Sequence, residues 1–296
     1  MAHKLPIIVL YLQYDTGKYP DSLALLKRRL SLLGSCRTEL VVIDNRQCEK
    51  REPKEEDGCL VLPGDNSSWE FSGWNKGINL VRAMSNRFEA VLFVNDSFIN
   101  NRAQNLDRLD PGMIGRAINI NAVCGVLNYR NRIRGRLGYL ALSLDRYCIK
   151  GMEFSAWLRS NFFLIPWRAL PVYGFEVLKK EDLFPGAMTP SLFLDSAPLS
   201  DSLKRRLVDY LVPSAVTDPS DVWHSRFALG PSTYQLFASK ATAIVNEMYL
   251  GIQLTRAGGR VADIRLMTRP GWGQPPRDMD HQAELLFWTR AFRPEN

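Results

Sequence analysis

The chain has 296 residues, 46% of them hydrophobic and 23% charged, with a formal net charge of +7. These are ordinary values for a globular protein large enough to bury a full core without disulfide staples, and no apolar run reaches the ~18 residues that a bilayer crossing needs. The five cysteines (Cys36, Cys48, Cys59, Cys124 and Cys148) are scattered and lack CxxC spacing, which argues against a zinc site and for reduced thiols in a cytoplasmic setting.

The positive charge admits an anionic nucleotide, an anionic membrane surface or nucleic acid as partner. Its local clusters are Lys27 to Arg29, Arg130 to Arg136, and Lys204 to Arg206. None interleaves aromatics as a nucleic-acid platform does, so no nucleic acid is expected, and the first and third read as solvated helix faces.

In chain order, the N-terminal run imitates a signal peptide but breaks at Gln13 and Asp15 with no small-residue cleavage site. Residues 7–12 are therefore read as a first strand. Residues 21–33 carry apolar positions at helical spacing, with Asp21 or Ser22 as cap and Gly34 as stop. Residues 39–43 and 59–62 are strands, 70–85 a helix despite Gly73 and Gly77, and 90–94 a strand. Further strands are expected at 122–127, 137–143 and 161–166, and partial helix between Arg168 and Lys180. Residues 199–212 form an amphipathic helix capped by Ser200 or Asp201, and 239–257 form the longest helix, ended by Gly258 and Gly259. The stretch from Arg269 to Arg277 is loop, and 280–292 is a closing helix. The alternation predicts an α/β fold: a Rossmann-like, mainly parallel sheet flanked by helices over residues 1–190, and a mostly helical part over 191–296.

In an open α/β sheet, ligands bind beyond the carboxyl ends of the strands. Strand one is followed by Gln13, Tyr14 and Asp15, strand two by Asp44 and Asn45, strand three by Gly64, Asp65 and Asn66, and strand four by Asn95, Asp96 and Ser97. Asp and Asn are common turn residues. An apolar strand that repeatedly ends in Asp or Asn-Asp points further, to a polar rim on one edge of the sheet.

The segments VVIDN (41–45), GDNSSWEFSGWNKGI (64–78) and VLFVNDSF (91–98), in that order, resemble the N-terminal half of inverting GT-A glycosyltransferases of the family-two-like group, which includes bacterial rhamnosyltransferases. Downstream, NEMYLGIQLTRAGGRV (246–261) resembles that family's helix opened by an acidic pair, with Glu247 on the family's basic Asp and Asn246 on the preceding Glu. NFFLIP (161–166) is similar to its mid-chain strand beside the acceptor cleft.

The resemblance implies a GT-A-like fold and a hexosyl- or deoxyhexosyltransferase that inverts the anomeric centre. The donor would be a UDP-, dTDP- or GDP-sugar, and the acceptor a glycan or lipid-linked glycan in polysaccharide biosynthesis. It places Tyr11, Asp44, Asn45, Asp65, Asn66, Trp74, Asn75, Lys76, Asn95 and Asp96 around the donor. Asp96 is the expected ligand of a divalent cation, Mg or Mn, because a departing diphosphate needs its charge neutralised. His224 and His281 are the candidates to complete that site. Glu247, near the start of the long helix, is the expected general base, with Asp195 and Asp221 as alternatives. Trp223 and Trp272 are candidate sugar-stacking rings, and the closing helix could rest on the inner face of a membrane. Two other readings stay open: a nucleotidyltransferase that makes an activated sugar, and a non-catalytic sugar-nucleotide or nucleic-acid binding module.

Overall fold

A computed structural model describes residues 4–46, 51–84, 87–99, 103–129, 133–135, 138–140, 147–154, 156–172, 177–212, 228–256 and 260–267. The elements run β1 (Leu5–Gln13), α1 (Ser22–Ser31), β2 (Cys36–Asp44), β3 (Lys54–Glu56), β4 (Cys59–Pro63), β5 (Ser67–Trp69), α2 (Glu70–Ala83), β6 (Ala90–Asn95), α3 (Pro111–Asn119) and β7 (Ala122–Tyr129). They continue with β8 (Ile133–Gly135), β9 (Gly138–Leu140), β10 (Tyr147–Ile149), β11 (Met152–Phe154), β12 (Ala156–Pro166), α4 (Lys180–Leu183), α5 (Asp201–Leu211), α6 (Tyr234–Arg256), β13 (Arg260–Asp263) and α7 (Ile264–Met267). The expected loop at 269–277, the closing helix at 280–292, and Asp221, Trp223, His224, Trp272 and His281 lie outside the described residues.

An eight-stranded sheet in the order β13-β7-β12-β6-β1-β2-β4-β3 carries the fold. The pairs β1–β2, β1–β6, β2–β4 and β7–β13 are parallel, whereas β12 runs antiparallel to β6. The sheet is thus mostly parallel, as the continuous apolar runs require. Ile7 to Tyr11 and Ala90 to Val94 have no exposed surface, because both faces of these strands are covered.

Successive residues of a strand face opposite sides, so the sheet has two cores. Ile7, Val9, Val42, Leu92 and Val94 pack with Leu26 and Leu30 of α1 and with Met113, Ile114 and Ala117 of α3. On the other face lie Leu10, Leu12 and Ile43 under α2, and the cross-strand pair Phe93–Phe163 stacks at 4.6 Å. Trp74 of α2 meets Phe71, Phe93 and Phe163 edge-to-face in this layer. Gly73 and Gly77 are what let the helix sit this close. A Cβ on Gly77 would lie 2.7 Å from Ile43 Cδ1 and 2.9 Å from Leu10 Cδ1.

Helix α3 fell in a stretch that the periodicity left unassigned. It starts with Asp110, whose side chain accepts from Met113 N at 2.9 Å, followed by Pro111 in the first turn. The basic run in α1 is also more than a solvated face. Arg29 donates to the carbonyls of Leu106, Asp107 and Leu109, holding the 3-10 turn at 103–108 against the helix.

The chain divides into two compact units that interleave in sequence. The first comprises residues 1–128, 158–175 and 253–288, and the second 129–157, 176–252 and 289–296. The boundary expected near residue 190 falls inside the second unit. There the face of α6 bearing Tyr234, Phe237, Ala241, Val245, Met248 and Ile252 packs on Leu203, Leu207 and Leu211 of α5 and on Tyr147, Ile149 and Phe154. Burial of each such leucine stabilises by about 1.5–3 kcal/mol. Ser200 caps α5, accepting from Leu203 N at 3.4 Å and from Cys148 N at 3.1 Å.

The helix glycines separate packing from propensity. Gly77→Ala should lower urea-unfolding stability by about 1–3 kcal/mol, because overpacking outweighs the helix-propensity gain. Gly115→Ala in α3, where a Cβ meets nothing within 4 Å, should raise it by about 0.5–1 kcal/mol.

Candidate functional site

Strand β1 has β2 on one side and β6 on the other. From β1 the chain passes through α1 to β2 and on to β4, then returns through α2 to β6. The order therefore reverses at β1, and the crevice outside the carboxyl ends of β1 and β6 is where such a sheet takes a ligand. Asp44, Asn45, Asn95, Asp96, Ser160 and Asn161 are all buried polar residues, and all lie at or beside these strand ends.

Asp96 joins the two central strands. Its Oδ2 accepts the backbone N–H groups of Tyr14 and Asp15, each at 2.7 Å. Burial raises its pKa above the ordinary carboxylate value, and Asp15 nearby adds to the rise, while the N–H groups of Tyr14, Asp15 and Ser97 pull it back. Asn95 accepts from the Ser97 hydroxyl at 2.7 Å. Tyr14 stays 46% exposed at this edge.

At the end of β2, Asp44 is held by a residue the strand-end pattern did not single out. Arg46 Nε lies 2.9 Å from Oδ1 and its Nη2 2.8 Å from Oδ2, while the Arg46 backbone N–H donates to Oδ1 at 3.1 Å. Its Nη1 donates to the Thr16 hydroxyl. The Asp44 side chain is 5% exposed and that of Arg46 42%. A basic residue two positions beyond a strand-end Asp was the available signal.

Asn45 is a structural hub. Its Nδ2 donates to Asn66 Oδ1 at 3.0 Å and to the Trp69 carbonyl at 2.9 Å. Gly64 is required beside it, since a Cβ there would lie 2.2 Å from Asn45 Oδ1 and 2.9 Å from Asn45 Cα. Asn66 and Trp69 both have positive φ, and Trp69 at φ 56°, ψ −136° is in a region that costs a non-glycine residue about 1–3 kcal/mol. The loop that opens α2 is thus strained and held by Asn45.

Antiparallel β12 brings further groups to the rim. Its register with β6 ends at Phe162–Val94, which carries Asn161 and Ser160 alongside Asn95 and Asp96. Ser160 donates to Glu70 Oε1 at 2.7 Å, and Asn161 Oδ1 is buried with no hydrogen-bond partner among the described residues. The sequence predicts a strand at 161–166, but its direction and register are tertiary properties.

Other expected donor residues lie elsewhere. Tyr11 is wholly buried with its hydroxyl on Ser22, and burial pushes its phenol pKa up to about 12. Trp74 is a core residue of the aromatic layer. Asp65 is exposed and accepts from Ser67 N and Oγ in a local turn. Asn75 and Lys76 are half-buried on α2.

Glu247 belongs to the second unit, where it is half-buried. The sequence puts Asn246 and Glu247 near the start of the long helix. Instead α6 begins at Tyr234, so the pair lies at its middle, away from the favourable N-terminal dipole. The apolar positions Tyr234 and Phe237 extend the helical spacing upstream of the expected start. Asn246 is 3% exposed and pairs with the Leu178 backbone, accepting from its N–H at 2.8 Å and donating to its carbonyl at 3.0 Å. Asp195 is exposed.

Among the described residues no group of three or more His, Cys, Asp or Glu side chains is placed to hold a metal ion. No described helix is long and apolar enough to cross a membrane. No family model matches the chain, and no curated protein matches it significantly.

Asp96→Asn retains a carbonyl oxygen for the two N–H groups, whereas Asp96→Ala leaves them unsatisfied and should cost about 2–3 kcal/mol in urea unfolding. Because folding raises the Asp96 pKa, the native state binds its proton more tightly than the unfolded chain does, and this contribution to stability is lost as pH rises from 3.8 through the folded value. The stability of Asp96→Asn relative to wild type should therefore grow across that window in unfolding curves taken at successive pH values.

Proposed function

We propose that the chain is a nucleotide-sugar-dependent glycosyltransferase of the GT-A-like, inverting kind. The observation that carries this reading is the concentration of buried carboxylate and amide side chains at the carboxyl ends of β2 and β6, flanking β1 where the strand order reverses. A nucleoside offers hydroxyl and amide donors for such acceptors, and the exposed ring of Tyr14 offers a surface on which a base can stack.

The residues at this edge suit a divalent cation of one type. A magnesium ion commonly takes one or two carboxylates and completes its shell with water and substrate phosphates. Asp96 and the neighbouring Asp15 supply carboxylates, although Asp96 Oδ2 already accepts two N–H groups. Such an ion would neutralise charge developing on the departing diphosphate.

Glu247 is the proposed general base, taking the proton of the acceptor hydroxyl as its oxygen attacks the anomeric carbon with inversion. The acceptor class is a glycan or lipid-linked glycan, and the setting is cytoplasmic, with peripheral contact at the inner face of a membrane.

A second reading, a nucleotide-binding module without turnover, is favoured by one observation. Asn246 occupies the place of the family's first acid and is committed to the Leu178 backbone, which leaves Glu247 without an acidic neighbour at that position.

A thermal-shift screen of UDP, dTDP and GDP and their sugars, with and without Mn, should show a rise in Tm for one nucleotide class. With that donor, Glu247→Gln should reduce turnover about 100-fold or more while donor binding is kept. Full turnover in that variant would remove Glu247 as base, and donor binding without turnover by the wild type across a broad acceptor panel would favour the binding module.

A further inference from the structure

Both oxygens of Asp44, the carboxylate expected to meet the nucleoside, are occupied by the Arg46 guanidinium. Exposed ion pairs contribute only about 0–1 kcal/mol, and taking a carboxylate out of water costs more than that. A carboxylate 5% exposed, paired with an arginine 42% exposed, is therefore a poor device for stability. It is a good device for orientation. Two N–H groups on Asp44 and one on Thr16 fix the plane of the guanidinium. Among the described residues, three of its five N–H donors are used, which leaves one on each terminal nitrogen. A planar fork held in this way matches the oxygens of a phosphate.

We propose that Arg46 is the anion-binding residue of this rim and holds a phosphate group of the ligand, with Asp44 and Thr16 as its positioning residues. The inference rests on the nucleotide reading above and reassigns Asp44, which acts through Arg46 and does not touch the nucleoside. The surroundings also specify the form of the anion. Asp15 and Asp96 both lie close enough to Arg46 to act on its charge. With Asp44, three carboxylates surround one guanidinium, so a bare diphosphate is repelled and a diphosphate carrying a divalent cation is accepted.

Isothermal titration of the full chain with inorganic pyrophosphate, with uridine, thymidine and guanosine, and with their diphosphates, each with and without Mg, tests this. Wild type should bind pyrophosphate and one nucleoside diphosphate more tightly with Mg than without. Arg46→Gln should weaken both by about tenfold or more and leave nucleoside affinity within about twofold. Arg46→Lys should recover only part of the loss, because an ammonium cannot reproduce the fork.

Arg46→Gln leaves Asp44 buried without its cation, so Asp44→Asn/Arg46→Gln, which removes both charges, is measured beside it with circular dichroism as a check of folding. The same loss is expected in the double variant. Asp44→Asn alone should leave nucleoside affinity unchanged, and a drop there would return Asp44 to direct nucleoside contact and overturn its positioning role. Unchanged pyrophosphate affinity in both Arg46 variants overturns the inference while the nucleotide reading stands. Equal losses for nucleoside and diphosphate overturn it as well. If wild type binds none of these ligands, the nucleotide reading and this inference fall together.

Discussion

The two central strands of the sheet are parallel neighbours, and parallel pairing alone leaves their carboxyl ends as separate loops. The Asp96 carboxylate closes that gap by taking the N–H groups of both Tyr14 and Asp15. The price is a carboxylate drawn out of water, visible in its raised pKa. What it secures is the position of everything around it: the exposed ring of Tyr14, the Asp15 carboxylate, and Thr16 against Arg46. The rim depends on this latch, because each of those groups sits on the loop that it fixes.

A second constraint is the closeness of α2 to the sheet. Gly73 and Gly77 admit Leu12, Leu10 and Ile43 where a Cβ would stand, and Trp74 packs edge-to-face against the stacked pair Phe93–Phe163. The helix must then enter from a loop with little room, and the backbone of Asn66 and Trp69 takes up the strain. Asn45 holds that loop through both residues, so the polar end of β2 serves the packing of α2. Chemistry-bearing residue types at strand ends therefore divide into those that build the rim and those it presents. Asn45 and Asp44 belong with the builders, and Arg46 and Tyr14 with the groups presented.

In the second unit the same distinction applies to the segment 246–247. Asn246 behaves as a piece of backbone, pairing with Leu178 as a neighbouring strand would. An acid at that position could accept from the Leu178 N–H but not donate to its carbonyl, so the amide suits the packing of α6 better than a carboxylate does. That is a physical reason for an amide here in place of the acidic pair of the group that the segment resembles, independent of what Glu247 does.

The sequence by itself did not determine β13 at the sheet edge or α3, but it determined the strands β1, β2, β4, β6, β7 and β12, the helices α1, α2, α5 and most of α6, and the polar residues that end the strands. These are local properties: apolar runs with both faces covered, helical spacing in α1, α2 and α5, and the abrupt change from Val or Ile to Asp or Asn at residues 44 and 95. It did not determine that β12 runs antiparallel beside β6, bringing Ser160 and Asn161 to the rim, because strand direction depends on partners distant in the chain. Nor did it separate Tyr11 and Trp74, which the core claims, from Tyr14, which stays exposed. A residue's type is the same on either face of a sheet, and only the register and the covering helices decide which face meets water. The helix α6 starts upstream of the expected residue 239, because Tyr234 and Phe237 continue its apolar face into the core shared with α5. The pairing of Arg46 with Asp44 is also decided by the fold. A basic residue two positions beyond a strand-end Asp marks the pair as possible, but only the fold of the strand end brings guanidinium and carboxylate together.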